Sequence, residues 1–348
     1  MVVGVLSLAA CGGSDSATKV GTTPTAAIDT AVSVDTTTAG HTAPNPPISS
    51  SLADLLRMIP DTAAARSGPI YYMNFGASPA AVGSTIELLG GLVNFNDGWI
   101  GAPFLKMRDP AFAAAAGFDA GDVDATLLTG EVPTLTAVMH GTFEADRLQQ
   151  GIDAADDEDV TSATDGPYTL LSIGTSGKSN LRHATLLRPN GDDLRLAVGA
   201  GVLVDTQNDS DRDAALAADV EGQSLAPDEA YGTIAADLDA AHVYAAVVTV
   251  PHNGERWQLV GIGESYHEDR VTTTLVFHFN DSDTAIAAAT KFPMHLDDTS
   301  KITGQPWSTH FSIQDFRTIG ADMIVTLDGT ESSGAIASLW QSDTLLDV

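Results

Sequence analysis

The sequence is poor in cysteine: 348 residues include one, Cys11. A chain with a single thiol forms no internal disulfide, so its stability rests on buried apolar surface. Basic residues are scarce too, with 16 lysines and arginines against 46 acidic residues and a formal net charge of −30. Such a surface repels nucleic acid and anionic headgroups, which excludes a nucleic-acid partner. It keeps an extracellular protein hydrated; recruitment of cations or of a basic partner is the sharper alternative. No apolar run approaches the roughly 20 residues that span a bilayer, so the body is expected to be soluble. No Gly-x-Ser-x-Gly elbow and no His-Glu-x-x-His helix occurs, leaving no signature of a serine hydrolase or a zinc protease. Aromatic residues are missing altogether from residues 12–48, a tract of Gly, Ser, Thr, Ala, Pro and Asp that ends Thr42-Ala43-Pro44-Asn45-Pro46-Pro47. That composition cannot bury enough apolar surface to fold and reads as a disordered tether with a reach of roughly 35 Å.

What is present begins at the N-terminus. Val2 to Ala10 are apolar or small, the pattern of a secretory signal core. Leu8-Ala9-Ala10-Cys11 resembles the lipobox of bacterial lipoproteins. That resemblance implies a diacylglycerol on the Cys11 thiol, cleavage before it, and a lipid anchor on the extracytoplasmic face of a cell membrane. The basic residue that usually opens such a signal is missing here. Residues 1–10 are therefore expected to be a lipoprotein signal peptide and residues 11–48 the tether.

Folded sequence is expected from Ser50. Ser51 caps an amphipathic segment closed by Pro60, and Ile70 to Phe75 is a short aromatic strand. Asp119 to Leu128 reads as a helix with carboxylates at its positive end. Leu135–Phe143 reads as a strand and Glu144–Ala155 as a helix, followed by the acidic loop Asp156-Asp157-Glu158-Asp159. Further strands are expected at Tyr168–Ile173, His183–Leu187, Leu194–Val198 and Val202–Asp205, then helices at Arg212–Ala218 and Pro227–Leu238. Val243–Val250 and Trp257–Gly263 flank Asn253-Gly254, a strong hairpin signal. Val271–Phe279, Thr309–Ile319 and Met323–Leu327 read as strands, and Thr284–Phe292 and Ala335–Leu346 as helices. Runs of strands with interspersed helices define an α+β fold, antiparallel sheets with packed helices. Two α+β domains are expected, 49–240 and 241–348. An echo between AVMHGTFEADRLQQ from Ala137 and LVFHFNDSDTAIAA from Leu275 points to two related halves.

The stretches GFDAGDVDATLLTGEVPTLTAVMHGTFEADRL and LRLAVGAGVLVDTQNDSDRDAALAADVEGQSLAPDEAYGTIAADL resemble a group of uncharacterised bacterial surface lipoproteins common in actinobacteria, over roughly residues 50–348. The resemblance implies an anchored α+β body and supplies no catalytic residues.

Several constellations invite chemistry. Ser172 to Ser179 ends like a phosphate-binding loop, but lacks its first glycine and leads into no helix. Asp209, Asp211 and Asp213 alternate like the start of a calcium loop, yet Ala214 and Val220 stand where glycine and glutamate belong. Glu264 to Asp269 carries metal-capable side chains at what reads as a hairpin tip. His140 and His278 occupy matching places in the echo and could share a metal with Glu144 and Asp281, although zinc needs three or four ligands. The plainer reading is that both histidines close their strands. Trp99, Trp257, Trp307 and Trp340 could stack on sugars or belong to the core. No cofactor is expected. The sequence favours a lipid-anchored extracytoplasmic binding or interaction protein, without evident catalysis, for a protein or small-molecule ligand of the envelope. A divergent secreted hydrolase and a solute-binding component of an importer are the alternatives.

Overall fold

The computed structural model describes residues 48–77, 110–130, 135–155, 160–176, 178, 180–185, 187–188, 191, 193–251, 256–267, 270–301, 304–329 and 343–346. All of them fall within one compact unit, Gly40–Val348. Cys11, residues 12–47, Trp99, Trp340 and the Asn253-Gly254 turn lie outside the described residues.

The strands are β1 Ile70–Asn74, β2 Val123–Thr129, β3 Thr136–Gly141, β4 Thr161–Asp165, β5 Tyr168–Ile173, β6 Leu194–Gly199, β7 Val202–Thr206, β8 Ala245–Thr249, β9 Trp257–His267, β10 Arg270–Phe279, β11 Phe311–Ile319 and β12 Asp322–Gly329. They form a single 12-stranded sheet in the order β11-β12-β10-β9-β8-β1-β2-β3-β7-β6-β5-β4. Every neighbouring pair is antiparallel. The helices are α1 Leu52–Leu56, α2 Ala63–Ser67, α3 Pro110–Ala116, α4 Ala145–Ala155, α5 Asp209–Glu221, α6 Glu229–Ala240, α7 Ser282–His295 and α8 Asp343–Leu346. The chain is thus α+β, and β1 and β8 join its earlier and later strands into one sheet. No helix among the described residues is long and apolar enough to cross a membrane.

Both sheet faces are covered. On one, Leu52 and Leu55 of α1, Leu216 of α5 and Ile234 and Leu238 of α6 pack on Leu127, Val138, Val204, Leu259 and Val276. On the other, Leu148 and Ile152 of α4 with Phe112 of α3 cover Leu128, Met139 and Leu203. Phe292 of α7 covers Val260, Phe277 and Val325 on that same face. Ile48, at the end of the expected tether, is already in the first of these cores. Ser51 caps α1 as its sequence implies, accepting from the Asp54 N–H at 3.1 Å. Asp239 of α6 accepts the Leu52 and Ala53 N–H groups at 2.8 and 3.0 Å, so an acid far along the chain completes the cap.

Two expected elements are different. Asp119–Leu128 is a turn and then β2: Asp122 Oδ2 accepts from the Asp119 N–H at 2.9 Å, and Asp119 Oδ1 from the Gly121 N–H at 2.7 Å. The carboxylates close a turn instead of charging a helix end. Because both faces of β2 are buried, its apolar run does not alternate and hides the period of two. His183–Leu187 is not a strand; Asn180 accepts from the Arg182 N–H at 3.2 Å and caps a short 3₁₀ turn, Leu181–His183. One strand, β4, went unread because its side chains are polar on both faces.

The registers on the two sides of β1–β8 correspond. Tyr71 faces Val247 in that central pair. The β2–β3 register shifts by one residue between Val123 and Ala125, opposite Gly141 and His140. The β9–β10 register shifts between Trp257 and Leu259, opposite Phe279 and His278. Beyond each shift, the Gly141 N–H donates to the Gly201 carbonyl and the Phe279 N–H to the Ala321 carbonyl, both at 2.9 Å.

Candidate functional site

Buried charge concentrates at one corner of the sheet, where β6 and β7 meet α5. Val202, Leu203 and Val204 carry β7 through the interior, and Asn208 then caps α5 by accepting the Asp211 N–H at 2.8 Å. Arg195 on β6 lies under this cap, buried, with Nη1 donating to the carbonyls of Ile173 at 2.6 Å and Leu194 at 2.8 Å. Its Nε stands 3.0 Å from Asp209 Oδ1 but off the hydrogen-bond line, and Nη2 is 3.6 Å from Asp193. Arg212 adds a second guanidinium, 3.2 Å from Asp209, 3.0 Å from Asp213 and 3.1 Å from the Ser172 hydroxyl.

This accounts for the three alternating aspartates. Asp209 sits between two arginines, Asp213 pairs with one of them, and Asp211 accepts from the Asn208 side-chain amide at 2.6 Å. Their carboxylates are directed to guanidinium and amide groups. Among the described residues, no group of three or more His, Cys, Asp or Glu side chains is arranged to hold a metal ion. Beside them is a carboxylate that sequence reading missed. Asp205 on β7 is fully buried, and neither of its oxygens has a hydrogen-bond partner. Burial pushes its carboxyl well above the ordinary carboxylate range, and the neighbouring Asp193 adds to the shift. The sequence signal was weak: Leu-Val-Asp-Thr reads as a strand ending in polar residues. Glu264, expected at a solvated hairpin tip, instead lies inside β9, is equally buried and accepts the Tyr244 hydroxyl at 2.6 Å.

The histidines of the echo do occupy corresponding strand ends, but apart. Between β3 and β10 lie β2, β1, β8 and β9, five strand spacings, or about 24 Å. No single ion is reached from both. His278 Nδ1 is 2.7 Å from Asp322 Oδ1, a pair buried between β10 and β12. His140 Nδ1 is 3.2 Å from Asp124 Oδ2, whose side chain is 58% exposed. His278 closes its strand against a neighbouring carboxylate, whereas His140 Nδ1 stands off the hydrogen-bond line to its acid. His278→Ala is therefore expected to cost about 1–2 kcal/mol, since it leaves a buried acid unmatched, and His140→Ala less. Urea unfolding of both variants checks this; equal losses would mean that burial of the acid does not set the cost.

Of the tryptophans, Trp257 and Trp307 are core residues: Trp257 donates to the Leu346 carbonyl at 2.8 Å, and Trp307 stacks on Phe311 with centroids 6.0 Å apart. Neither offers a face to a sugar. The Ser172 stretch leaves β5 at Ile173 and enters bends, with the Ser176 hydroxyl accepting the Asp209 N–H at 3.1 Å.

No family model matches this chain. No curated protein matches it either. Among solved structures, three crystal forms of TP0453 are similar. Form I has a TM-score of 0.41 at 9% identity, over 82% of this chain and 96% of that one. Form III has 0.42 at 9%, over 85% and 99%. Form IV has 0.40 at 11%, over 82% and 96%. They identify no family for the chain.

Proposed function

We infer that this is a lipid-anchored extracytoplasmic protein that works by binding. The observation that carries this reading is the place of the only cysteine, directly after Leu8-Ala9-Ala10 and ahead of an aromatic-free tract. On this reading that tract tethers the body to a membrane surface. Ile48, the first described residue, is buried in the core of the body. The binding reading draws support from the polar groups themselves: Asp209, Asp213, His278 and Glu264 are each occupied by a structural partner.

The body consists of two related halves. The echo aligns Ala137 with Leu275, and in the sheet Ala137 faces Leu128 while Leu275 faces Ile262. The two register shifts and the two strand-end hydrogen bonds match at that same alignment, which supports this reading. In this frame Tyr71 and Val247 are each other's counterparts, and they face one another across the centre.

Cys11→Ser tests the anchor. Expressed in a bacterium that makes lipoproteins, the wild type is expected to enter the detergent phase and the variant the aqueous phase. If both partition into water, the anchor reading fails.

A further inference from the structure

The two ends of the sheet are built differently. At one end β11 carries a register shift between Ile313 and Asp315 and charged side chains at Asp315 and Arg317, devices that keep an open edge from pairing. At the other end β4 has no register shift, and Asp165 at its end is its one charged residue. Its five residues, Thr-Ser-Ala-Thr-Asp, pair with β5 in unbroken register from Thr161↔Ser172 to Asp165↔Tyr168. It contains no lysine, proline or bulge, and none of its side chains is buried. Among the described residues, no strand pairs with its outer side.

The hairpin is also extra to the repeat. β7 and β6 lie beside β3 as β12 and β11 lie beside β10, but β5 and β4 continue the sheet where, among the described residues, the other half stops. A strand that buries no side chain adds little to the core, and ordering it costs backbone entropy. Its free side is what it offers.

We propose that the outer edge of β4 is a docking site for an extended, basic polypeptide segment, which adds a thirteenth strand to the sheet. The two-residue loop Gly166-Pro167 closes on the Asp165–Tyr168 pair. The pair flanking such a loop exchanges both of its hydrogen bonds, so alternation turns the N–H and C=O of Ser162 and Thr164 outward. These groups supply a ladder, and the small side chains of Ser162, Ala163 and Thr164 leave room for a strand beside them. Main-chain bonding of this kind gives affinity with little demand on sequence. Charge then selects the occupant. The protein carries a formal −30, and Asp165 closes the strand, so a second copy is repelled and a lysine- or arginine-bearing segment is drawn in.

This deepens the reading of the protein as a binding module and does not depend on the lipid at Cys11. The test uses the full chain in mild detergent, with hydrogen exchange read residue by residue. The probes are a blocked peptide of alternating lysine and valine, its glutamate–valine counterpart, and a backbone N-methylated form of the first. Slowed exchange at Ser162 and Thr164 with the lysine peptide alone is the expected result. Ser162→Lys, which places a like charge on the edge, is expected to weaken that peptide by roughly tenfold. Ser162→Pro removes an outward N–H that the fold does not use. It should do the same while circular dichroism stays unchanged; if it unfolds the hairpin, Ser162→Lys decides alone. Absence of protection, equal protection by the glutamate peptide, or protection without peptide in a dimer overturns the proposal. Lysine-peptide binding that survives Ser162→Lys also overturns it, yet leaves the chain a binding protein with its site elsewhere.

Discussion

Replacing Arg195 by methionine is expected to lower the free energy of unfolding by about 3–5 kcal/mol, the usual cost of removing one partner from a buried charge network. The side chain is 4% exposed, and its guanidinium is shared by three segments. It bonds the carbonyls of Ile173 and Gly174 at the end of β5 and of Leu194 on β6, and faces the acids Asp193 and Asp209. These partners do not weigh equally. Asp209 is 47% exposed and keeps Arg212, so water and a second cation limit its loss. Asp193 is 3% exposed at its side chain, and the carbonyl of Ile173 is held at 2.6 Å. The cost comes from these buried groups. Arg212→Met serves as the comparison, because its acids Asp209 and Asp213 are half-exposed or more; it should cost only about 1 kcal/mol. Urea unfolding midpoints at fixed slope measure both. Similar small losses in the two variants would show that the Arg195 corner is reached by water and that its charges are not structural.

The α+β class and most of the sheet were legible in the sequence because strand after strand is apolar and bounded by turn residues. Ser51 before Leu52 announced α1, and its side chain accepts a backbone N–H as an N-cap does, whereas α5 was expected only from Arg212 although Asn208 caps it ahead of Asp209. β4 was not legible, since Thr-Ser-Ala-Thr-Asp shows no period when both faces meet solvent and only the ladder to β5 holds it. β2 was misread for the opposite reason, as both of its faces are buried and the carboxylates ahead of it imitate a helix start. The pairing of β1 with β8 joins residues far apart in the chain, and no local pattern announces it. Glycine carried part of the hidden information. On β9, a side chain at Gly263 would meet Val243 Cγ1 at 2.6 Å and Leu238 Cδ2 at 2.8 Å, so its absence lets α6 lie close on the sheet. For the candidate site, residue types were visible and partners were not. Asp209, Asp211 and Asp213 look like cation ligands until Arg195, fourteen positions before the first of them, arrives beneath.

Asp205→Asn is expected to stabilise the protein at neutral pH, and by more as pH rises. Asp205 is enclosed between Ala137 on β3 and Leu196 on β6, with neither oxygen hydrogen-bonded. Ionising it there would bury an uncompensated charge close to Asp193, so burial first and that acid second raise its folded-state pKa. The unfolded chain keeps an ordinary aspartate value of about 3.9. Below that pH both states hold the proton and nothing is lost. Above it the unfolded state ionises while the folded state does not, and stability falls by about 1.4 kcal/mol per pH unit until the folded carboxyl also titrates. Asparagine keeps the shape and the burial but has no proton to lose, so it removes the pH-dependent part alone. At pH 7 the gain should be at least about 1 kcal/mol, against a difference near zero at pH 4. Chemical unfolding of wild type and variant across that range reads the slope directly. A constant difference between the two proteins would mean that Asp205 titrates alike in both states and that some donor reaches it in solution. Asp193→Asn should end that fall at a lower pH without abolishing it, because burial remains after the neighbouring charge is gone.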